Sequence, residues 1–318
     1  MSGITITCFA ASYAVAWMLE FSRLLFRSGV RGVVMVLFGA AGMLAHTLFL
    51  AYRVAEIPTA PLSSSFDWCL VAAWLLAGAY LYLTYQYPRA VIGLFILPLV
   101  LALIGAAAML ADRRPLAPEG AWRAWGAIHG VFLLLGTVTV MVGFVAGLMY
   151  LIQSMRLKRK LPPMQRFRFP SLERLEKVNS RVILLSALWI ALGFLAGIIL
   201  KLVDRGGMGL PWSDPVVWSS GLMLAWLVAA AIFNLVYKPA RQGRKVAYLT
   251  VVSFLFLLLA LGVFLLVDSA HAGSRFHGRS ARSTAYRLVG PAWKLVPRCF
   301  PHEVHRTAQA HGPSRGGV

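Results

Sequence analysis

Apolar residues run in eight long stretches, at approximately 4–22, 33–52, 66–86, 90–111, 122–153, 182–203, 216–237 and 247–267, and polar residues gather in the breaks between them. About 20 apolar residues suffice to cross a hydrocarbon core roughly 30 Å thick, and lipid offers no partner to an unpaired backbone amide. Each stretch therefore predicts a membrane-crossing helix. The expected fold is an all-α integral membrane protein, a single bundle of eight transmembrane helices over residues 1–271, followed by a basic, disordered tail at 272–318. The fifth stretch would make a helix of about 48 Å, so it must tilt or protrude.

Composition agrees with a bilayer: of 318 residues, 59% are hydrophobic and 13% charged. The first stretch has no basic segment before it and no small-residue cleavage site after it, so it is expected to stay as a permanent helix. The net charge of +20 does not imply nucleic acid, because the charge sits in connections. Arg23, Arg27 and Arg31 follow the first stretch, nine basic residues from Arg156 to Arg181 follow the fifth, and Lys238, Arg241, Arg244 and Lys245 follow the seventh. Positive charge favours the cytoplasmic side, which puts the amino terminus and the 209–220 loop outside. The basic tail, outside by the same count, is the exception. In the 155–181 connection Pro162, Pro163 and Pro170 stop helices before Ser171 caps a short new one. This basic collar suits anionic membrane lipid.

Three cysteines, Cys8, Cys69 and Cys299, lack CxxC or CxxCH spacing, against a redox pair, a zinc site or covalently attached haem. No GxSxG, Walker or dinucleotide glycine pattern occurs, so hydrolysis and phosphoryl transfer have no visible machinery. The glycine pairs of "GAIHG", "GFVAG" and "GFLAG" read as helix packing.

Candidate chemistry falls to histidine, since neutral imidazole ligates haem iron and other transition metals. His46 lies in the second stretch, His129 near the outer end of the fifth, and His271 just beyond the eighth, all on one side under the expected topology. A lone His46 is read equally well as a core residue satisfied by a carbonyl. Trp122, Trp125 and His129 share one helix face, where an aromatic belt explains the tryptophans equally well. The loop "GLPWSDPVVWSS" adds Trp212, Asp214 and Trp218 on the same side. Its indoles offer flat apolar faces, and Arg123 and Arg205 are placed to pair with carboxylates such as haem propionates. Asp214 before Pro215 also reads as the cap of the seventh helix.

These blocks, in this order, resemble the CcsA/CcmC-type superfamily of cytochrome c assembly membrane proteins, and within it the HemX-like group. "AHTLFLAYR" with "PLSSSFDWCLVAAW" is similar to the second and third spans, with Asp67 where an acid is usual. "WGAIHGVFLLLG" and "LGVFLLVDSAH" are similar to the segments that carry the two external haem-ligand histidines, which map onto His129 and His271. The 209–220 loop looks like a reduced form of the tryptophan-rich haem-handling loop. The full W-G-x-x-W-x-W-D pattern is absent, and Phe264 stands where asparagine is usual.

The resemblance implies haem b held between His129 and His271 in a bacterial-type inner membrane, with His46 where a membrane-embedded ligand lies. It implies delivery of haem to apocytochrome c held by a second cytochrome c biogenesis subunit. A HemX-like regulatory subunit that binds no haem, and a small-solute transporter, are the alternatives.

Overall fold

The computed structural model describes the backbone of residues 5–25, 29–56, 64–88, 90–113, 122–160, 170–203, 215–236 and 244–288. It describes side chains over 5–23, 32–56, 64–88, 90–113, 125–160, 170–200, 215–236 and 244–266. Among these residues the chain forms eight α-helices: α1 Ile6–Leu25, α2 Gly29–Glu56, α3 Ser65–Gln86, α4 Gly93–Met109, α5 Trp122–Lys158, α6 Leu172–Val203, α7 Pro215–Val236 and α8 Arg244–Leu288. Six of them carry segments long and apolar enough to cross a membrane: α2, α3, α5, α6, α7 and α8. The protein is integral to a membrane, and its outward-facing Leu37, Leu44, Leu188 and Leu255 suit lipid. The 20-residue α1, with Glu20 and Arg23 near its end, and the 17-residue α4 fall outside those six.

Two boundaries differ from the sequence expectation. No separate short helix forms after Ser171; instead, Ser171 Oγ accepts from the Arg174 amide and α6 runs unbroken from Leu172. A charged start is tolerated because Lys177 pairs with Glu173 one turn away, 2.7 Å apart, outside the apolar stretch. In addition, α8 continues as helix to Leu288. By contacts the chain divides into a unit of Met1–Ala272 and a second of Gly273–Val318. Residues 289–318 lie outside the described residues.

Neighbouring helices form two four-helix groups rather than one ring of eight. In the first, α1 packs on α2, α2 on α3, α3 on α4, and α4 back on α1. Side-chain pairs fix an antiparallel register: Phe9 stacks on His46 and Tyr13 meets Gly42 (α1–α2), while Trp74 Nε1 donates to Thr47 Oγ1 at 2.8 Å (α3–α2). Trp17 Nε1 donates to the Leu94 carbonyl, tying α1 to α4. In the second group α5 packs along α6, and α6 on α7, where Asn234 Nδ2 donates to Ser180 Oγ at 2.9 Å. Trp226 Nε1 donates to Ser253 Oγ (α7–α8), and Phe144 stacks on Phe254 with centroids 4.0 Å apart (α5–α8). Small residues permit this closeness, since association in lipid depends on packing and interhelical hydrogen bonds. Contacts of α3 and α4 with α5 join the two groups.

Candidate functional site

The seam between α5 and α6 positions His129. The two helices run antiparallel, with Gly136 against Ile190, Gly143 against Val182, Leu133 against Gly193 and His129 against Gly197. Both glycines of "GFLAG" therefore face α5. At Gly193 the imidazole Nδ1 of His129 lies 2.6 Å from the backbone carbonyl oxygen. A carbonyl only accepts, so Nδ1 carries the proton and donates it. Nε2 is left as the lone-pair nitrogen, and it has no hydrogen bond among the described residues. One turn on, a Cβ at Gly197 would lie 2.9 Å from His129 Cε1 and Nδ1, so only glycine leaves room for this ring. The glycine pair does more than pack helices: it holds an imidazole in one tautomer and one orientation.

An imidazole held this way would have a fixed lone pair to offer a haem iron. A ligating histidine commonly gives its other N–H to a carbonyl or carboxylate, which fixes the ring and raises its basicity. Among the described residues no three of His, Cys, Asp and Glu gather.

The other candidates distribute as follows. Trp125, one turn before His129 on α5, is half-buried. Arg123 belongs to α5 by its backbone, and its side chain lies outside the described residues, as do Trp212 and Asp214. Pro215 is the first residue of α7, and Trp218, in the first turn of that helix, is 66% exposed. His271 lies in α8 by its backbone, its side chain outside the described residues. Counted from where Gly143 faces Thr250, His129 lies about 21 Å along α5 and His271 about 32 Å along α8. Because those helices are antiparallel neighbours, both counts run toward the same end.

His46 stands apart from this seam. It belongs to the first group, fully buried, with its ring stacked on Phe9 (centroids 4.3 Å apart, planes 4° apart) and edge-on to Tyr13. It is also deeper than the sequence implies: α2 continues to Glu56, so His46 lies about 15 Å from that end.

Two features escape a reading of the sequence by histidines alone. The half-buried indole of Trp68 on α3 lies against Gly130 of α5, the residue after His129, and its Cη2 would be 2.7 Å from a Cβ there. The block containing Asp67 points to this neighbourhood, but nothing in the spacing shows which helix face meets α5. The second feature is the Arg53–Asp67 pair at the same end of α2 and α3. Asp67 Oδ1 accepts from Arg53 Nε at 3.1 Å and Nη2 at 2.9 Å, and Oδ2 accepts from Ser64 Oγ at 2.7 Å. The Asp67 amide in turn donates to Ser64 Oγ, completing a capping box at the start of α3. Guanidinium groups of Arg53 and Arg113 lie 5.2 and 5.0 Å from the buried Phe66 ring. Asp67 is thus a structural acid, holding a cap and an arginine together.

No curated protein and no solved structure matches the chain. The family profile described as Cytochrome C assembly protein matches residues 5–271, nearly the whole helical region and both His129 and His271. With a match of that extent on an all-helical membrane protein, the chain belongs to the cytochrome c assembly protein family and has its role in cytochrome c biogenesis.

Proposed function

We propose that this protein handles haem b in cytochrome c biogenesis, holding it near one membrane face through His129 and His271 and delivering it to apocytochrome c presented by a second biogenesis subunit. In this reading all eight helices cross the membrane, the amino terminus lies outside, and the haem face is the outer one of a bacterial-type inner membrane. Haem, when bound, supplies an iron that takes imidazole nitrogen and vinyl groups that are the points of attachment to cysteine thiols.

The observation that carries the reading is the His129–Gly193 hydrogen bond. It presents Nε2 as a ligand with no tautomer change. Trp68, against Gly130, and Trp125, one turn before His129, would offer apolar surface to the haem, while Trp212, Trp218, Asp214 and Arg123 would form the lid and the polar edge. The chain's part is to orient, exclude water and release; no residue acts as an acid–base catalyst.

The test is the visible spectrum of protein purified in detergent after haem-replete expression. Wild type should show a haem Soret band, and His129→Ala should lose or shift it at equal protein. A wild-type protein without haem absorption would refute haem handling and favour a regulatory subunit of the HemX-like kind.

A further inference from the structure

The first four-helix group buries titratable side chains that the haem site does not use. Seven buried side-chain nitrogen and oxygen atoms lack a hydrogen-bond partner among the described residues, and four belong to this group: Nδ1 and Nε2 of His46 and the hydroxyls of Tyr13 and Tyr80. They form a column. Taken along α2, Arg23 Nη1 reaches Met35 Sδ, the Tyr80 ring faces Gly39, the Tyr13 ring faces Gly42, and His46 follows. Each step is three or four residues, about 4.5–6 Å of helix rise.

Glu20 of α1, only 1% exposed, begins the column. Its Oε2 accepts from Arg23 Nη1 at 3.1 Å, and Arg23 Nη2 is fixed on the Pro88 carbonyl at 3.0 Å. Glu20 and Tyr80 meet at Gly93 of α4, where a Cβ would lie 3.4 Å from the Glu20 carboxyl carbon and 3.3 Å from Tyr80 Cδ2. At the other end the centroids of Tyr13 and His46 are 6.2 Å apart.

Packing explains the rings but not their polar atoms. Gly39, Gly42 and Gly93 provide slots that phenylalanine would fill equally well, and a buried hydroxyl without a partner costs stability. Chains of ionisable side chains inside a membrane serve as proton relays. We propose that the α1–α4 group conducts protons along Glu20, Tyr80, Tyr13 and His46, from the end marked by Arg23 toward the end marked by the Arg53–Asp67 pair.

Each carrier takes one proton and releases one. The Glu20 carboxyl gives up its proton and is reprotonated from the Arg23 end. No two of these groups hydrogen-bond directly, so each hop runs through an intervening water: a phenol accepts on an oxygen lone pair from one water as its own proton passes to the next. His46 accepts at one ring nitrogen and releases from the other, so no oxidant or reductant is needed. The charged and titratable groups facing the column are Glu20 and Arg23 on α1, Arg53 on α2 and Asp67 on α3. The Thr84 hydroxyl lies one turn beyond Tyr80, and α4 contributes none. Phe9 stacks on His46, and Phe49, about one turn further along α2, lies 5.5 Å from Phe9.

The proposal stands independently of haem. It is tested with the full chain in liposomes under a valinomycin-set potassium potential, with proton entry followed by an internal pH dye. Wild-type vesicles should acidify faster than protein-free ones, and Glu20→Gln, Tyr13→Phe and Tyr80→Phe should fall to the protein-free rate. Tyr82→Phe, at an exposed tyrosine outside the column, should match wild type. The two column phenylalanine variants leave the rings in their glycine slots and remove only a hydroxyl, so they should elute as wild type does and melt close to it. A wild-type rate equal to that of empty vesicles, or wild-type rates in both of those variants, overturns the proposal. The haem spectrum of the same preparations reports separately on the haem reading.

Discussion

His129 and Gly193 are joined by a 2.6 Å hydrogen bond between helices, from imidazole Nδ1 to a backbone carbonyl 64 residues away. A side chain held this way by backbone cannot be disarmed by changing the partner's side chain. It can be displaced by crowding. Gly197→Ala puts a methyl 2.9 Å from Cε1 and Nδ1 and should turn the ring off its carbonyl. Loss of such an orienting contact commonly weakens ligation by about 10- to 100-fold, so haem titration of the variant should show weaker binding with His129 still present.

The Arg53–Asp67 pair predicts a stability effect without a direct effect on ligation. Both charges are largely withdrawn from solvent, with side-chain exposures of 16% and 6%. Asp67→Ala strands the guanidinium and removes the side-chain half of the α3 capping box, and should destabilise by about 3–5 kcal/mol, read as a lower melting midpoint in detergent. Replacing both residues with leucine should recover much of that loss. If the single variant melts like wild type, the pair is not the clamp described above.

At the α5–α8 contact, Gly147 faces Thr250, and a Cβ there would lie 3.0 Å from the Ala247 carbonyl oxygen. Backbone cannot swing away as a side chain can. Gly147→Ala should therefore cost about 1–3 kcal/mol through overpacking, checked by unfolding of the purified protein.

Asn234 bridges α7 to Ser180 of α6 through both amide atoms, with 2.9 and 3.2 Å contacts to the serine hydroxyl. Interhelical hydrogen bonds in membranes are modest, so Asn234→Leu should cost only about 0.6–1.7 kcal/mol in unfolding and leave the haem spectrum intact. A larger loss would mean that the α6–α7 seam supports the site directly.

The helices were legible in the sequence because membrane crossing needs long apolar runs, and every expected stretch contains a helix. Their ends were less legible: the residues after Ser171 read as a short separate helix, yet that helix runs on unbroken into α6, with Lys177 pairing with Glu173 across one turn. His129 was legible as a candidate because imidazole is rare in such runs. Its cradle was not, since Gly193 and Gly197 acquire meaning only when α6 is laid antiparallel to α5 in one register. Trp68 was hidden for the same reason. Asp67 in its sequence block revealed neither Arg53 nor its role in the cap, because that pairing depends on α2 extending to Glu56.

The central claim is that Nε2 of His129 is an iron ligand, and the most direct measurement is chemical rescue. His129→Ala, purified from haem-replete cells, is titrated with free imidazole while its visible and electron paramagnetic resonance spectra are followed. The account predicts that the variant loses the low-spin signature of wild type and that imidazole, entering the space the ring leaves beside Gly193 and Gly197, restores it. A variant whose low-spin spectrum and haem content equal those of wild type before any imidazole is added would contradict it.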